Sequence, residues 1–316
     1  MELNGLTTGT ATAKDEAALL ALINLVQPHV PWTQAHLSWQ FFDLPAGSAK
    51  LYVIRDKEAI VSLYAAIPQF FGVDGHSLEA RMVQDVMTHP DFRGRGFLHH
   101  LAGLCLQDIN QSGIIGYTFP NERSEKSFRR GGWSELCEVP HRSCDLSGHS
   151  YSEGILRIEM LDESFGEWAT EVWNVAGLSV GVRRDARFLN WRYSKPDNEY
   201  HKFRIEGDRG LLVLKIYSDG ASRTLHILEL LLRTQDRDLL PNVLSFCFDF
   251  AARHSAQTVT AWLTSGHPYA PQFDDAGLSI NPTRKRFMFV HSPAAYTSRI
   301  EDSTAWHLTQ GESDVF

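Results

Sequence analysis

Two hydrophobic periods organise the first half of the chain. Apolar residues recur at mixed three- and four-residue spacing after an acidic start, which predicts a helix over residues 10–26. Apolar and β-branched residues fill residues 50–55 and 60–71 on either side of a charged turn, and this pattern predicts a β-hairpin. Residues 78–88 continue the pattern, so we expect another strand of the same, mostly antiparallel sheet.

The following stretch mixes helical and strand periods. Residues 96–109 carry apolar side chains at helical spacing, which predicts an amphipathic helix. We then expect a short apolar strand over 114–119, a short helix over 124–130 that two glycines end, and one or two strands within 134–145. The composition turns polar at residues 146–150, where we place a linker.

The second half repeats the order of elements in the first. Leu37-Ser38-Trp39 precedes a proline and a strand, and Leu189-Asn190-Trp191 does the same. An apolar strand over 225–232, a helix over 239–252 and a strand over 258–263 then follow. Two unrelated α/β domains that each place a tryptophan before a hairpin would give part of this pattern, but the repeated order favours two copies of one α/β (α+β) fold. The expected domains are residues 1–148 and 149–316.

Composition narrows the class of protein. The chain has 316 residues, of which 43% are hydrophobic, enough for two packed cores, and its formal net charge of -8 argues against a nucleic-acid partner. It has neither an apolar run of about 18 residues nor a basic and then apolar start, so we expect no membrane segment, no secretory signal and a cytoplasmic location. Its cysteines are scattered without a C-x-x-C pair, which predicts neither a disulfide frame nor a metal site.

The segment Arg93-Gly94-Arg95-Gly96 is the main candidate for chemistry, because it follows a strand and opens a helix. Backbone N–H groups at a helix N-terminus attract anions, and the glycines permit a close approach. The arginines can add charge-assisted hydrogen bonds to phosphate oxygens. Arginine–glycine pairs also occur in surface turns and in RNA-binding tracts, so the position before a helix carries the argument. In the second half, residues 233–241 contain no glycine and add acidic charge, so we expect no phosphate loop there.

Two motifs carry a resemblance to a known family. The segment from Val86 to Gly96 resembles the acyl-CoA signature of the GNAT superfamily of N-acyltransferases, R/Q-x-x-G-x-G/A, although Leu98 stands where a small residue is usual. The segment from Asn121 to Trp133 is similar to the second cofactor segment of that family, N-x-x-S/A followed by an aromatic residue and a G-F/W end. The aromatic segment 39–47 resembles acetyltransferases encoded among surface-polysaccharide genes.

The resemblance implies two tandem GNAT-like domains. Each is then a mixed, mostly antiparallel sheet flanked by helices, and the central strands of the first are splayed apart. Acetyl-CoA, or another acyl-CoA, would lie with its pantetheine arm in that gap, where the Met87 N–H polarises the thioester carbonyl. The cofactor-binding residues that the resemblance implies are Val86, Met87, Thr88, Arg93, Gly94, Arg95, Gly96, Phe97, Leu98, Asn121, Ser124 and Phe128.

Direct attack by an amine, as in that family, needs a group that takes the amine's proton. Asp85 and, through water, Gln84 or His89 are the candidates near the end of the strand, although loop packing is the expected role of His89. Strand alternation puts Asp85 and Gln84 on opposite faces, so only one of these two is expected to face the substrate cleft. A buried, loop-shaping role for Asp85 is an equal alternative.

The leaving thiolate also needs a proton. The general acid of the family is a tyrosine in the short helix, but Phe128 holds the matching position and cannot donate a proton. Tyr117 and Ser124 are the substitutes, unless solvent supplies the proton, although core packing is the expected role of Tyr117.

These observations predict an N-acyltransferase that moves an acyl group, acetyl in the simplest case, to the primary amine of a small acceptor. The polysaccharide-type resemblance suggests an amino sugar, a sugar nucleotide or an amino-acid-like metabolite. We expect no metal, no nucleic acid and no membrane, and a monomer or homodimer whose second domain is structural. Two alternatives stay open: an aminoacyltransferase of the two-domain peptidoglycan type, against which the intact loop argues, and a non-catalytic acyl-CoA-binding protein.

Overall fold

The computed structural model describes residues 5–147, 156–281 and 287–313. The strands are β1 Thr7–Ala11, β2 Lys50–Asp56, β3 Ala59–Val73, β4 His76–Thr88, β5 Ile115–Thr118, β6 Ser134–Glu138, β7 His141–Asp145, β8 Ile158–Met160, β9 Val180–Val182, β10 His201–Ile205, β11 Gly210–Ser218, β12 Arg223–Leu232, β13 Thr258–Trp262, β14 Ser279–Ile280 and β15 Phe287–His291. The α-helices are α1 Glu16–Val26, α2 Gln34–Phe41, α3 Phe97–Ser112, α4 Glu122–Arg130, α5 Glu167–Val175, α6 Ala186–Arg192, α7 Leu240–Arg253, α8 Ala270–Asp275 and α9 Thr297–Ile300.

Two compact units are present, and each contains a mixed sheet. The first comprises residues 5–71, 77–137 and 287–301, and its strands follow the order β1-β2-β3-β4-β5-β15-β6. Strands β4 and β5 are parallel, whereas β1 with β2, β2 with β3 and β15 with β5 are antiparallel.

The second unit comprises residues 72–76, 138–147, 156–281 and 302–313, with the strand order β14-β7-β13-β12-β11-β10-β8. Its parallel pair is β12 with β13, the counterpart of β4 with β5. The predicted α/β (α+β) class, with two similar mixed sheets flanked by helices, is confirmed.

The two units exchange one strand each. Strand β15, near the end of the chain, lies between β5 and β6 in the first sheet. Strand β7, which follows β6 in sequence, lies between β13 and β14 in the second sheet. The units are therefore interleaved along the chain, whereas the expected domains, 1–148 and 149–316, are continuous stretches. Of the expected linker, residues 148–150 lie outside the described residues.

Helix α3 covers one face of the first sheet. Gly96 precedes it and Gly113 follows it, both in the left-handed region at φ 77° and 63°, where glycine avoids the strain of a side chain. The buried residues are spaced four apart and form one stripe, which packs into the apolar core above the sheet: Phe97, Leu101, Cys105 and Ile109.

The predicted helix over residues 10–26 is wrong at its start. Thr10 belongs to β1, and α1 begins only at Glu16. The Thr12 hydroxyl accepts a hydrogen bond from the Lys14 backbone N–H, and Asp15 accepts one from the Thr12 backbone. This capping box ends the extended strand and starts the helical stretch.

Candidate functional site

A gap opens in the first sheet where β4 and β5 separate. Their parallel pairing ends at Val83 and Thr118, and the Thr118 hydroxyl donates to the Val83 carbonyl oxygen at 2.9 Å. Two residues further on, Asp85 takes a φ of 51°, a left-handed conformation that is uncommon within a strand. Beyond Val83, the described part of β4 has no pairs with β5, so one edge of its backbone lies open.

The open end of β4 is held from its other side by β3. The Ser62 hydroxyl lies 2.9 Å from the Thr88 hydroxyl and donates to the Met87 carbonyl oxygen at 3.2 Å. The His89 N–H donates to the Val61 carbonyl oxygen at 2.9 Å. These bonds fix residues 86–88 in an extended conformation, so their free edge is ready to pair with an extended ligand.

The glycine loop lies between this strand and α3. Gly94 and Gly96 have φ values of 76° and 77°, in the left-handed region that favours glycine. A side chain added at Gly94 would meet no atom within 4 Å, so the space beside the loop is open. No side chain caps Gly96, and the first turn of α3 leaves backbone N–H groups without helical acceptors. The loop therefore presents the donors that an anion needs.

Both arginines of the loop are exposed, and each uses only part of its N–H donors in contacts with the protein. Arg93 Nε donates to the Thr88 carbonyl oxygen at 3.3 Å. Arg95 lies over the Phe92 ring at 4.8 Å and donates to the Asp91 carbonyl oxygen at 3.4 Å. A guanidinium has five N–H donors, so each arginine keeps several for a phosphate.

A cavity of about 770 Å³ joins the loop to the gap. Every residue predicted to bind the cofactor lines it, from Val86 on β4 to Phe128 on α4. Sequence reasoning missed several further lining residues, which are Val26, Gln27, Tyr64, Phe92, His99, Ala102, Ser127, Gly131 and Trp133. Tyr64 had no signal in the sequence, because it lies on β3, away from both motifs along the chain.

Helix α4 closes one side of the cavity. Asn121 Oδ1 accepts from the Ser124 N–H at 3.1 Å, which caps the first turn. Phe128 is buried between Tyr64 and Trp133, with ring centroids 6.4 and 5.6 Å away. Within the described chain, the Tyr64 hydroxyl and the Trp133 Nε1 are buried without a hydrogen-bond partner.

The predicted catalytic residues do not line this cavity. None of Gln84, Asp85 and Tyr117 is among the described residues that line it. Asp85 is half-buried and accepts a hydrogen bond from the Gln40 side chain of α2 at 3.2 Å. Its φ is positive, so the backbone at Asp85 departs from the regular strand on which the expected alternation of Gln84 and Asp85 rests.

Tyr117 is a core residue. Its side chain is 1% exposed and packs against Phe71 and Phe119 at 5.6 and 6.1 Å between ring centroids. The neighbouring Gly116 faces Trp133 on the side of the sheet that α3 covers, so alternation turns Tyr117 to the opposite face. The alternative of Tyr117 as a proton donor at the cavity is therefore corrected to the packing role.

The corresponding place in the second unit is closed. Instead of a glycine loop, a 3-10 helix over Thr234–Leu239 follows β12. Glu229 of β12 is fully buried, and its carboxylate accepts from Arg184 Nε at 2.8 Å and lies 2.9 Å from His307 Nε2. Arg184 also donates to Glu312 at 2.8 Å. Residues 307–312 thus contribute to a buried polar network beside β12.

Burial and the neighbouring charges shift the pKa values of the two glutamates in opposite directions. Burial alone would raise the pKa of Glu229, but Arg184 and His307 overcome that effect and hold it at about 2. For Glu312, burial outweighs the attraction of Arg184 and raises the pKa to about 7. Burial lowers the pKa of His307, so its imidazole stays neutral at neutral pH.

The described residues contain no group of three His, Cys, Asp or Glu side chains arranged to hold a metal ion. Among them, no helix is both long and apolar enough to cross a bilayer.

One family model matches part of the first half of the chain. Residues 8–135 match the family model described as an acetyltransferase (GNAT) domain. No significant sequence match was found among curated proteins.

Several solved structures resemble 92% of the chain. A probable N-acyltransferase of unknown function from Enterococcus faecalis V583 has a TM-score of 0.72 at 15% identity over 73% of its own length. A GCN5-related N-acetyltransferase from Anabaena variabilis ATCC 29413 has a TM-score of 0.69 at 12% identity, also over 73% of its length. A tandem GNAT protein from the clavulanic acid biosynthesis pathway has a TM-score of 0.60 at 13% identity over 99% of its length. At these identities the likeness concerns the fold.

Proposed function

We propose that the first unit, whose residues 8–135 match an acetyltransferase (GNAT) domain, transfers an acyl group from acyl-CoA to a primary amine of a small acceptor. The observation that carries the proposal is the single cavity that joins the glycine loop to the gap between β4 and β5. One ligand that is anionic at one end and extended at the other fits both features.

The loop suits the diphosphate of the donor. A diphosphate carries roughly two to three negative charges, and free N–H groups at the start of α3 together with Arg93 and Arg95 offer matching donors. Leu98 also lines the cavity. Its side chain is larger than the small residue usual there, and we expect it to contact the donor rather than to block the loop.

The gap suits the pantetheine arm. The free edge of β4 at Val86, Met87 and Thr88 can pair with the amides of the arm as a neighbouring strand would. A thioester at that edge would have its carbonyl oxygen within reach of the Met87 N–H. Such a donor stabilises the negative charge that grows on oxygen when the amine attacks.

Asp85 is the candidate for handling the amine. It lies at the gap but outside the donor cavity, and the Gln40 amide holds one of its carboxylate oxygens. A carboxylate there would attract the cationic form of an amine and take a proton from it, directly or through water. This chemistry favours a primary amine, and the resemblance to polysaccharide-type acetyltransferases suggests a small acceptor such as an amino sugar or an amino-acid-like metabolite.

The second unit is proposed to have a structural role. Its equivalent of the gap carries the buried Glu229 network, and it lacks the glycine loop that would hold a diphosphate.

One observation favours a second candidate, a protein that binds acyl-CoA without transferring its acyl group. Phe128 replaces the usual phenol, and Tyr117 is buried on the other face of the sheet. Tight binding of CoA without release of free thiol in the presence of any amine would support this candidate.

Incubation with acetyl-CoA and a panel of amino sugars, amino acids and polyamines, with detection of free thiol and of the acylated product by mass spectrometry, tests the proposal. We expect thiol release that depends on one class of amine. Absence of amine-dependent release with acetyl-, propionyl- and longer acyl-CoA donors would contradict it.

A further inference from the structure

Tyr64 lines the cavity and carries a buried hydroxyl that the mechanism above does not use. It lies on β3, is 2% exposed and lines the same cavity as the glycine loop and Phe128. Among the described residues its hydroxyl has no hydrogen-bond partner. A buried hydroxyl without a partner is unfavourable, because it has given up its hydrogen bonds to water. Such a group is expected to find its partner in a bound ligand or water.

Tyr64 lies close to two parts of the proposed donor site, the open end of β4 and helix α4. Ser62, on the same face of β3, lies 2.9 Å from Thr88, and both Thr88 and Val86 line the cavity with Tyr64. The Tyr64 ring lies 6.4 Å from the ring of Phe128, measured between centroids. The tyrosine therefore lies next to the residue at which the family's phenol is missing.

We propose that the Tyr64 hydroxyl donates a hydrogen bond to the sulfur of the acyl thioester, and so replaces the phenol that Phe128 lacks. This inference rests on the proposed function, because it requires acyl-CoA in the cavity. It assigns a catalytic role to a residue of β3 rather than of α4.

The chemistry of the step balances without proton transfer from the tyrosine. The amine nitrogen forms a bond to the carbonyl carbon, the carbon–sulfur bond breaks, and its electron pair stays on sulfur. The proton that the nitrogen loses reaches the sulfur through Asp85 or water. Burial raises the pKa of Tyr64 well above its ordinary value, so the phenol stays protonated and acts as a hydrogen-bond donor throughout.

Among the described residues, the ionisable side chains that line the cavity besides Tyr64 are Arg93, Arg95 and His99, which lie in the loop and at the start of α3. Cys105 of α3 lies in the same apolar core as Tyr64, and burial raises its pKa to about 12, so it remains a neutral thiol.

The pKa of the bound CoA thiol tests the inference without relying on turnover. The thiolate absorbs in the ultraviolet, and the protein saturated with CoA is titrated against the protein saturated with desulfo-CoA, which cancels the absorbance of its own tyrosines and cysteines. We compare the wild type with Tyr64→Phe. The matched control is Tyr52→Phe, because Tyr52 is also a buried tyrosine of this sheet, but its hydroxyl is bonded to Asp108 and it does not line the cavity.

We expect Tyr64→Phe to raise the pKa of the bound thiol by about one to two units and to lower kcat by about 10- to 100-fold, since it removes a hydrogen bond to a charged atom. Affinity for desulfo-CoA should stay unchanged, and Tyr52→Phe should leave the thiol pKa unaltered. Adding Phe128→Tyr to Tyr64→Phe should restore part of the loss by returning a phenol to α4.

An unchanged thiol pKa in a Tyr64→Phe protein that still binds CoA would overturn the inference and leave the proposed function standing. A wild type that binds neither CoA nor desulfo-CoA would overturn both. An equal fall in kcat for Tyr64→Phe and Tyr52→Phe, without a change in thiol pKa, would make the effect of Tyr64 merely structural and would also overturn it.

Discussion

Asp85 and Glu229 occupy equivalent positions in the two units. Each is the second residue after the last parallel pair of its sheet, which is Val83 with Thr118 in the first unit and Ile227 with Ala261 in the second. Asp85 is half-buried beside an open cavity, whereas Glu229 is fully buried beneath Arg184 and His307. One repeat has thus kept the strand gap accessible, and the other has filled it with a polar network.

Replacing the loop glycine Gly94 by valine should weaken CoA binding. Gly94 has a φ of 76°, a conformation that costs a branched residue about 1–2 kcal/mol, and the added side chain would stand where a diphosphate approaches. We expect at least about a tenfold loss of CoA affinity with the fold retained, because the added Cβ meets no protein atom within 4 Å.

The matched control is Gly103→Ala in the middle of α3, where the added Cβ also meets no atom. This change should leave CoA affinity unaltered and stabilise the protein by up to about 1 kcal/mol, because alanine favours the helix. Equal CoA affinities for Gly94→Val and Gly103→Ala in calorimetry would argue against a phosphate site at the loop.

Asp85→Asn should separate donor binding from catalysis. Asparagine tolerates a positive φ, so the backbone at the gap is kept while the negative charge is lost. We expect kcat/KM for the amine to fall by about 10²- to 10⁴-fold and CoA affinity to stay constant. Steady-state kinetics measure this, with Asp91→Asn, an exposed carboxylate of the nearby loop, as the control that keeps full activity. Full activity of Asp85→Asn would remove the residue from the mechanism.

Replacing Glu229 should destabilise the protein more than replacing Glu312. Glu229→Gln removes the carboxylate partner of Arg184 that has the lower pKa and should cost about 3–5 kcal/mol in urea unfolding at neutral pH. Glu312, whose pKa burial raises to about 7, is already partly protonated there, so Glu312→Gln should cost less than about 2 kcal/mol. Equal losses would mean that both carboxylates are fully charged.

The same two carboxyl groups predict opposite dependences of stability on pH. The pKa of Glu229 lies below its ordinary value of 4.5, so its contribution is present above that value and is lost as pH falls towards about 2. The pKa of Glu312 lies above 4.5, so its contribution is present at low pH and is lost as pH rises through about 7. Between about pH 5 and pH 8, Glu312→Gln should therefore lose less stability than the wild type in thermal unfolding. A larger loss would contradict this assignment.

The positions of β7 and β15 predict which fragments of the chain should fold. A fragment of residues 1–148 lacks β15, so β5 and β6 lose the strand that lies between them. We expect this fragment to be poorly folded by circular dichroism and to aggregate through the exposed edge of β5. A fragment of residues 1–137 joined by a flexible linker to 287–301 should fold better and bind CoA. A well-folded, CoA-binding 1–148 fragment would show that β15 is dispensable.

The donor site could be predicted from the sequence because its chemistry is local. Gly94, Gly96 and the two arginines act through one turn, and that turn shows in four consecutive residues. The sheets that β7 and β15 join could not be predicted, since a five-residue strand carries no signal for which sheet it joins. The positive φ of Asp85 was equally hidden, because alternation assumes a regular strand and a local irregularity has no side-chain signature.

Calorimetric titration of CoA into the wild type and into Arg93→Ala/Arg95→Ala, at the same salt concentration, tests the central claim most directly. We expect one site per chain in the wild type and a loss of affinity of at least about tenfold in the double variant, since two charge-assisted contacts to the diphosphate are removed. Equal affinities would contradict the assignment of the loop, and no binding by the wild type would contradict the proposed acyl-CoA donor itself.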